Sequence, residues 1–217
     1  MRLYKHPGVC FLAVAVLTVT VIFSCHASEQ SRRFPVELEI LAANANILLS
    51  STIPARQKNG LHIRIASSLG TLRFLAREYL QTKQPSGKTL LQKINTLRQA
   101  FDSGKLQAFA IESRRLAQKY PVVLTGLRAS DAGPRDLSAG RQIYHQLCMA
   151  CHEHPDTTQS NPAQDLFTMA KTQPQREFIS RLIAGVHGTP AVALRNPFSD
   201  AEIAGLAAYL TQEKHLR

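Results

Sequence analysis

Cysteine is scarce in this chain: four residues in 217, two of which, Cys10 and Cys25, fall in the first 27 positions. The remaining pair, Cys148 and Cys151, has no second cluster to accompany it. A structural zinc site draws four ligands, usually from two such pairs, so zinc lacks half its donors here. Methionine is scarcer still, with Met149 and Met169 the only ones beyond Met1. Acids are few, 15 against 26 Lys and Arg, for a formal charge of +11. Residues 34–120 lack Cys and Met, hold one His (His62), and show no nucleotide-binding glycine loop, acidic cluster or strand alternation. That region therefore offers no chemistry of its own. The apolar run Val9 to Phe23 falls short of the roughly 20 residues needed to span a bilayer comfortably.

What is present centres on Cys148-Met149-Ala150-Cys151-His152. It reads C-x-x-C-H, the attachment pattern of c-type haem. Two thiols three positions apart can each add to one porphyrin vinyl group, and the adjacent His then lies under the iron as proximal ligand. A thioredoxin-like dithiol would need a βαβ setting, whereas this neighbourhood reads as helical. One covalent haem c is the expected cofactor.

Arg2, Lys5 and His6, the apolar run, and Ser24-Cys25-His26-Ala27 have the order of a secretory signal peptide. Residues 1–27 are expected to be removed, which lowers the charge from +11 to +9 by loss of Arg2 and Lys5. The product would be periplasmic, and with both remaining thiols used by haem it would have no disulfide. Ile22-Phe23-Ser24-Cys25 is similar to a bacterial lipobox. Lipidation of Cys25 is the only route to membrane association, and Phe23 fits that pattern poorly. The basic residues are interleaved with acids instead of clustered, which argues against nucleic acid. They suit a docking field for an acidic redox partner protein, a feature that mainly raises association rates.

Four helical segments precede a turn-rich linker. Val36 to Leu49 is apolar-rich; Leu61, Ile65, Leu69, Leu72, Ala76 and Leu80 form a helical stripe. Pro85-Ser86-Gly87 and Ser103-Gly104 separate these from segments carrying Leu90, Leu91, Ile94 and Leu97, then Leu106, Phe109, Ala110 and Leu116. Short breaks between helices predict an antiparallel bundle over residues 28–124, with Arg64, Arg73 and Arg77 on a solvated face. Residues 125–135 read as a linker, and a second domain covers 136–217.

Within that second domain, Leu137 to Tyr144, with Gly140, leads into C-x-x-C-H, and Ser199-Asp200-Ala201-Glu202 is a capping box opening a last helix through Leu210. From about 136 to 214 the chain resembles the small bacterial class I, mono-haem cytochromes c. The resemblance implies an all-α fold, a helical bundle followed by a class I haem domain, in which the first and last helices cross with Gly140 opposite Tyr209. It implies that Asn161-Pro162 stands for the family's Gly-Pro, with the Pro162 carbonyl accepting a hydrogen bond from His152. Leu166 and Phe167 would wall the haem, and Arg176 to Ile183 would cover its edge. The sequence departs from the family at the second axial ligand, because the loop from Gly188 to Phe198 contains no Met. His187 is the leading distal candidate, with an open position as the other arrangement and Met169 as a third. Together these features imply a periplasmic electron carrier and not an enzyme. The alternatives are a gas-binding or haem-enzyme module with an open iron face, or a redox subunit docking onto a dehydrogenase through its bundle.

Overall fold

The computed structural model describes residues 32–83, 87–185 and 198–212. The expected leader, Cys25, His187 and the loop 188–197 lie outside the described residues. Every regular element among the described residues is helical, so the protein is all-α.

Helix α1 covers 32–49. It is followed by α2 (Ala55–Lys83), α3 (Gly87–Asp102) and α4 (Leu106–Lys119). α3 packs on α2 and on α4, as short connections dictate. The anticipated stripe is buried: Ile65, Leu72 and Ala76 are inaccessible, and Leu90, Ile94, Leu97, Phe109 and Leu116 join them in one core. A Schellman turn ends α3. Lys105 N–H bonds to the Ala100 carbonyl at 2.9 Å and Gly104 N–H to Phe101 at 3.0 Å, and Gly104 holds φ +71, a conformation that glycine reaches without a Cβ penalty. α4 stops at Lys119, ahead of Pro121.

α1 is apolar on two sides. Phe34, Leu38, Leu41, Ala42, Ala45 and Leu48 face the bundle core. Val36 and Ile40, four residues apart and so on one other stripe, belong to a second core with Val122, Leu127, Ile143, Tyr144, Phe178, Ile203 and Leu210. One helix therefore packs into both cores. An ion pair between Arg32 and Asp200 at 2.5 Å ties its start to the last helix.

The segment after α4 is structured. Asp131 Oδ2 accepts from the N–H groups of Gly126 and Arg128 at 2.9 and 3.1 Å, closing a 3₁₀ turn over Ala129–Asp131 while Leu127 is buried beneath. Then come α5 (Pro134–Ile143), a π-helical turn (Tyr144–Cys148), α6 (Met149–His152), α7 (Leu166–Thr172), α8 (Gln175–Ala184) and α9 (Asp200–Thr211). The capping box is formed as read: Glu202 Oε2 accepts from Ser199 N–H at 2.8 Å and Ser199 Oγ from Glu202 N–H at 3.3 Å.

α5 and α9 cross at glycine on glycine. A Cβ on Gly140 would run into the backbone of Gly205 and Leu206, and one on Gly205 into Asp136. This corrects the expected pairing of Gly140 with Tyr209. Contact this close leaves no room for a ring, and Tyr209 instead packs on Tyr144 and Phe167, centroids 5.5 Å from each.

Candidate functional site

The C-x-x-C-H pentapeptide starts at Cys148, the last residue of the π turn that follows α5. A π turn adds one residue to a helical revolution and often marks a functional site. Tyr144, at its head, is buried with its hydroxyl donating to Glu153 Oε1 at 2.8 Å, so both ends of the motif are tied together. Within this frame Cys148 is half-buried, Cys151 exposed and His152 half-buried. Burial, with the neighbouring Cys151 thiol adding to it, pushes the Cys148 thiol up to about 11, so it stays neutral against apolar surroundings.

Cys148, Cys151 and His152 all line one cavity of about 570 Å³, a size within the roughly 300–1,000 Å³ of cofactor sites. Leu166, Met169, Phe178 and Leu206 supply apolar wall. Asp165 sets up this side by capping α7, its carboxylate accepting from Thr168 N–H at 2.9 Å. His154 also lines the cavity from the loop after the motif.

The opposite wall comes from the bundle. Glu37, Ile40, Asn44 and Ile47 of α1 and Leu61, Arg64 and Ser68 of α2 reach the same space. α2 is held over the haem-motif loop by Arg56, which donates to the Thr157 carbonyl, and by Gly60, which has only hydrogen where Asn161 packs. Arg64, anticipated on a solvated face, is half-buried in the cavity wall. Burial, then the cationic Arg181, lower its affinity for a proton, and Glu37 opposes them.

His152 Nδ1 lies 2.5 Å from the carbonyl of Gln164. This replaces Pro162, which the family resemblance put in that role. Pro162 lines the cavity, but the carbonyl that faces the ring is two residues later, at Gln164, just ahead of the Asp165 cap of α7. A ring nitrogen donating to a carbonyl fixes the tautomer and leaves Nε2 with its lone pair for a metal.

The residues therefore fit a covalently held haem: two thiols, an oriented imidazole, apolar walls, and two arginines in the wall. Among the described residues, no group of three or more His, Cys, Asp and Glu converges as a protein-only metal site. Of the distal candidates, Met169 is a wall residue and His187 lies outside the described residues. Sequence reasoning missed Asn44 and Gln164, since neither an Asn among apolar helix residues nor a loop carbonyl gives a pattern.

No helix among the described residues is long and apolar enough to cross a membrane. Residues 135–210 match the family described as cytochrome C oxidase, cbb3-type, subunit III. No curated protein and no solved structure matches the chain.

Proposed function

Residues 135–210 are a c-type cytochrome domain of the class I, mono-haem kind, and from that premise we propose that the chain is a periplasmic carrier of single electrons. A domain of this kind binds haem c and serves electron transfer. Bound haem supplies a one-electron iron couple. Cys148 and Cys151 are the thioether anchors, His152 is the proximal ligand, and the Gln164 carbonyl holds its ring in the orientation that presents Nε2. The observation that carries this reading is the meeting of both thiols and the oriented imidazole in one cavity.

The distal ligand we assign is His187, flanked by Gly185 and Gly188, with Met169 as the second candidate. Replacing Met by His removes a ligand that raises the potential, so the couple lies below the family norm. Electrons enter at the rim where Leu147, 45% exposed, Ala150 and Cys151 reach the surface. The excess of basic residues draws an acidic redox protein to the molecule, and the leader places the encounter in the periplasm.

The test is addition of carbon monoxide to the dithionite-reduced protein at neutral pH. A six-coordinate carrier shows no change in its Soret band, whereas prompt formation of a carbonyl adduct overturns the saturated-iron reading in favour of a gas-binding or catalytic module. Magnetic circular dichroism of the ferric form then names the ligand: a near-infrared charge-transfer band of the Met type would replace His187 by Met169.

A further inference from the structure

Asn44 is one of few buried polar residues among those described. It is 1% exposed, sits among apolar residues of α1, and lines the haem cavity, whereas Asn46 two residues on is exposed. Its Oδ1 accepts from Arg181 Nη2 at 3.1 Å. Arg181 can only donate, so that bond fixes the amide's orientation and turns Nδ2 to other surroundings. There Nδ2 has no partner. A buried donor left unpaired costs on the order of 1–3 kcal/mol, and buried polar groups in folded proteins nearly always find a partner.

Two cations share this wall, and they differ. Arg181 is already neutralised by Glu177, with Nη2 and Nε at 2.8 and 3.1 Å from one carboxylate oxygen. Arg64, on α2, has neither hydrogen bond nor ion pair among the described residues, although Glu37 lies within its field. A guanidinium with no direct partner among the described residues and one unpaired amide donor thus face a cavity whose expected occupant carries two carboxylates.

We infer that Arg64 and Asn44, both from the N-terminal helices, bind a haem propionate, so that the bundle is a working wall of the haem site and not an appendage to it. This rests on the haem reading above. The propionate supplies what each residue lacks: an anion for Arg64 and an acceptor for Nδ2, in a charge-assisted contact of the stronger kind. It also explains why α1 packs into both cores. The other charged and titratable groups that face this site are Glu37 on α1, Glu177 and Arg181 on α8, and His152, His154 and Asp156 from the motif and its following loop.

The wild-type holoprotein gives the first test. In the diamagnetic ferrous form, with carbon monoxide added if the iron is otherwise high-spin, nuclear Overhauser contacts are expected from propionate methylene protons to Arg64 Hδ and Asn44 Nδ2–H. With those resonances assigned, their absence overturns the proposal. The second test is the midpoint potential of Arg64→Gln. Losing a cation beside the haem favours the ferric form and is expected to lower the reduction equilibrium constant roughly tenfold, about 59 mV for a one-electron couple, while Arg64→Lys restores most of it. An Arg64→Gln protein that retains covalent haem and matches the wild-type potential at every pH overturns the proposal. If haem is not retained by the wild type at all, the cytochrome reading fails instead, and the two failures are distinguishable.

Discussion

Substituting Gly140 by Ala adds one methyl group at the point where α5 and α9 touch backbone to backbone. The new Cβ would lie under 3.0 Å from atoms of Gly205 and Leu206, against 3.4–4 Å in ordinary contact. Those atoms are main chain and cannot rotate away, so the helix axes must part by something on the order of 1 Å, and close-packed interiors transmit such a shift instead of absorbing it. Overpacking costs typically about 1–3 kcal/mol, and a backbone clash belongs at the upper end or beyond it. Alanine returns up to ~1 kcal/mol through its better helix propensity, leaving a net loss of about 2–3 kcal/mol. For a protein of this size that is a fall of roughly 4–12 °C in Tm, readable by circular dichroism of the haem-loaded protein. Gly205→Ala is expected to do the same through Asp136, and the double variant less than the sum, because both act on one crossing. A Gly140→Ala protein melting within a degree of the wild type would show that the crossing is looser than described and that it does not fix the path into the haem motif.

Three further outcomes are expected. Cys151→Ser leaves a single thioether, so the alkaline pyridine haemochrome of the denatured protein moves its α band to the red, since one vinyl group stays conjugated. Ile40→Ala removes a residue of α1 that is 8% exposed and reaches into the second core; a loss of about 2–4 kcal/mol in denaturant unfolding is expected, and a loss under ~0.5 kcal/mol would mean α1 does not bind that core. Burial first, and then Glu177, push the Glu39 carboxyl above the usual range, with Arg176 opposing. The folded state thus holds the proton more tightly than the unfolded chain, and stability falls as pH rises through that window; Glu39→Gln should raise Tm at pH 7, with the gain vanishing on acidification below the ordinary carboxylate range.

Much of this was legible in the sequence, for identifiable reasons. The stripe from Leu61 to Ala76 and the Ser199–Glu202 box are local patterns whose physics does not depend on distant partners, and both formed as read. The haem pentapeptide is likewise local. The remaining features depended on what lies across space. Val36, Ile40 and Asn44 share one stripe of a helix that is apolar on two sides, which signals burial without saying between which two bodies. Arg64 looked like one of many basic surface residues because the groups that bury it come partly from α1 and α8, far away in sequence. Gly205, in the middle of an apolar helix, was a readable sign of a close approach, and Gly140 showed only one half of the pair. Gln164 could not be anticipated, since which carbonyl faces the His152 ring depends on the path of the loop and not on any side chain.

The central claim is that haem is covalently fixed at Cys148 and Cys151 with His152 beneath the iron. Mass spectrometry of the denatured, alkylated protein, isolated after expression with its leader and a haem-attachment system, tests it most directly. The account predicts the mass of one haem retained on the tryptic peptide spanning residues 142–171, with neither thiol alkylated. Haem that washes out in acidified organic solvent, leaving Cys148 and Cys151 both alkylated, would contradict it.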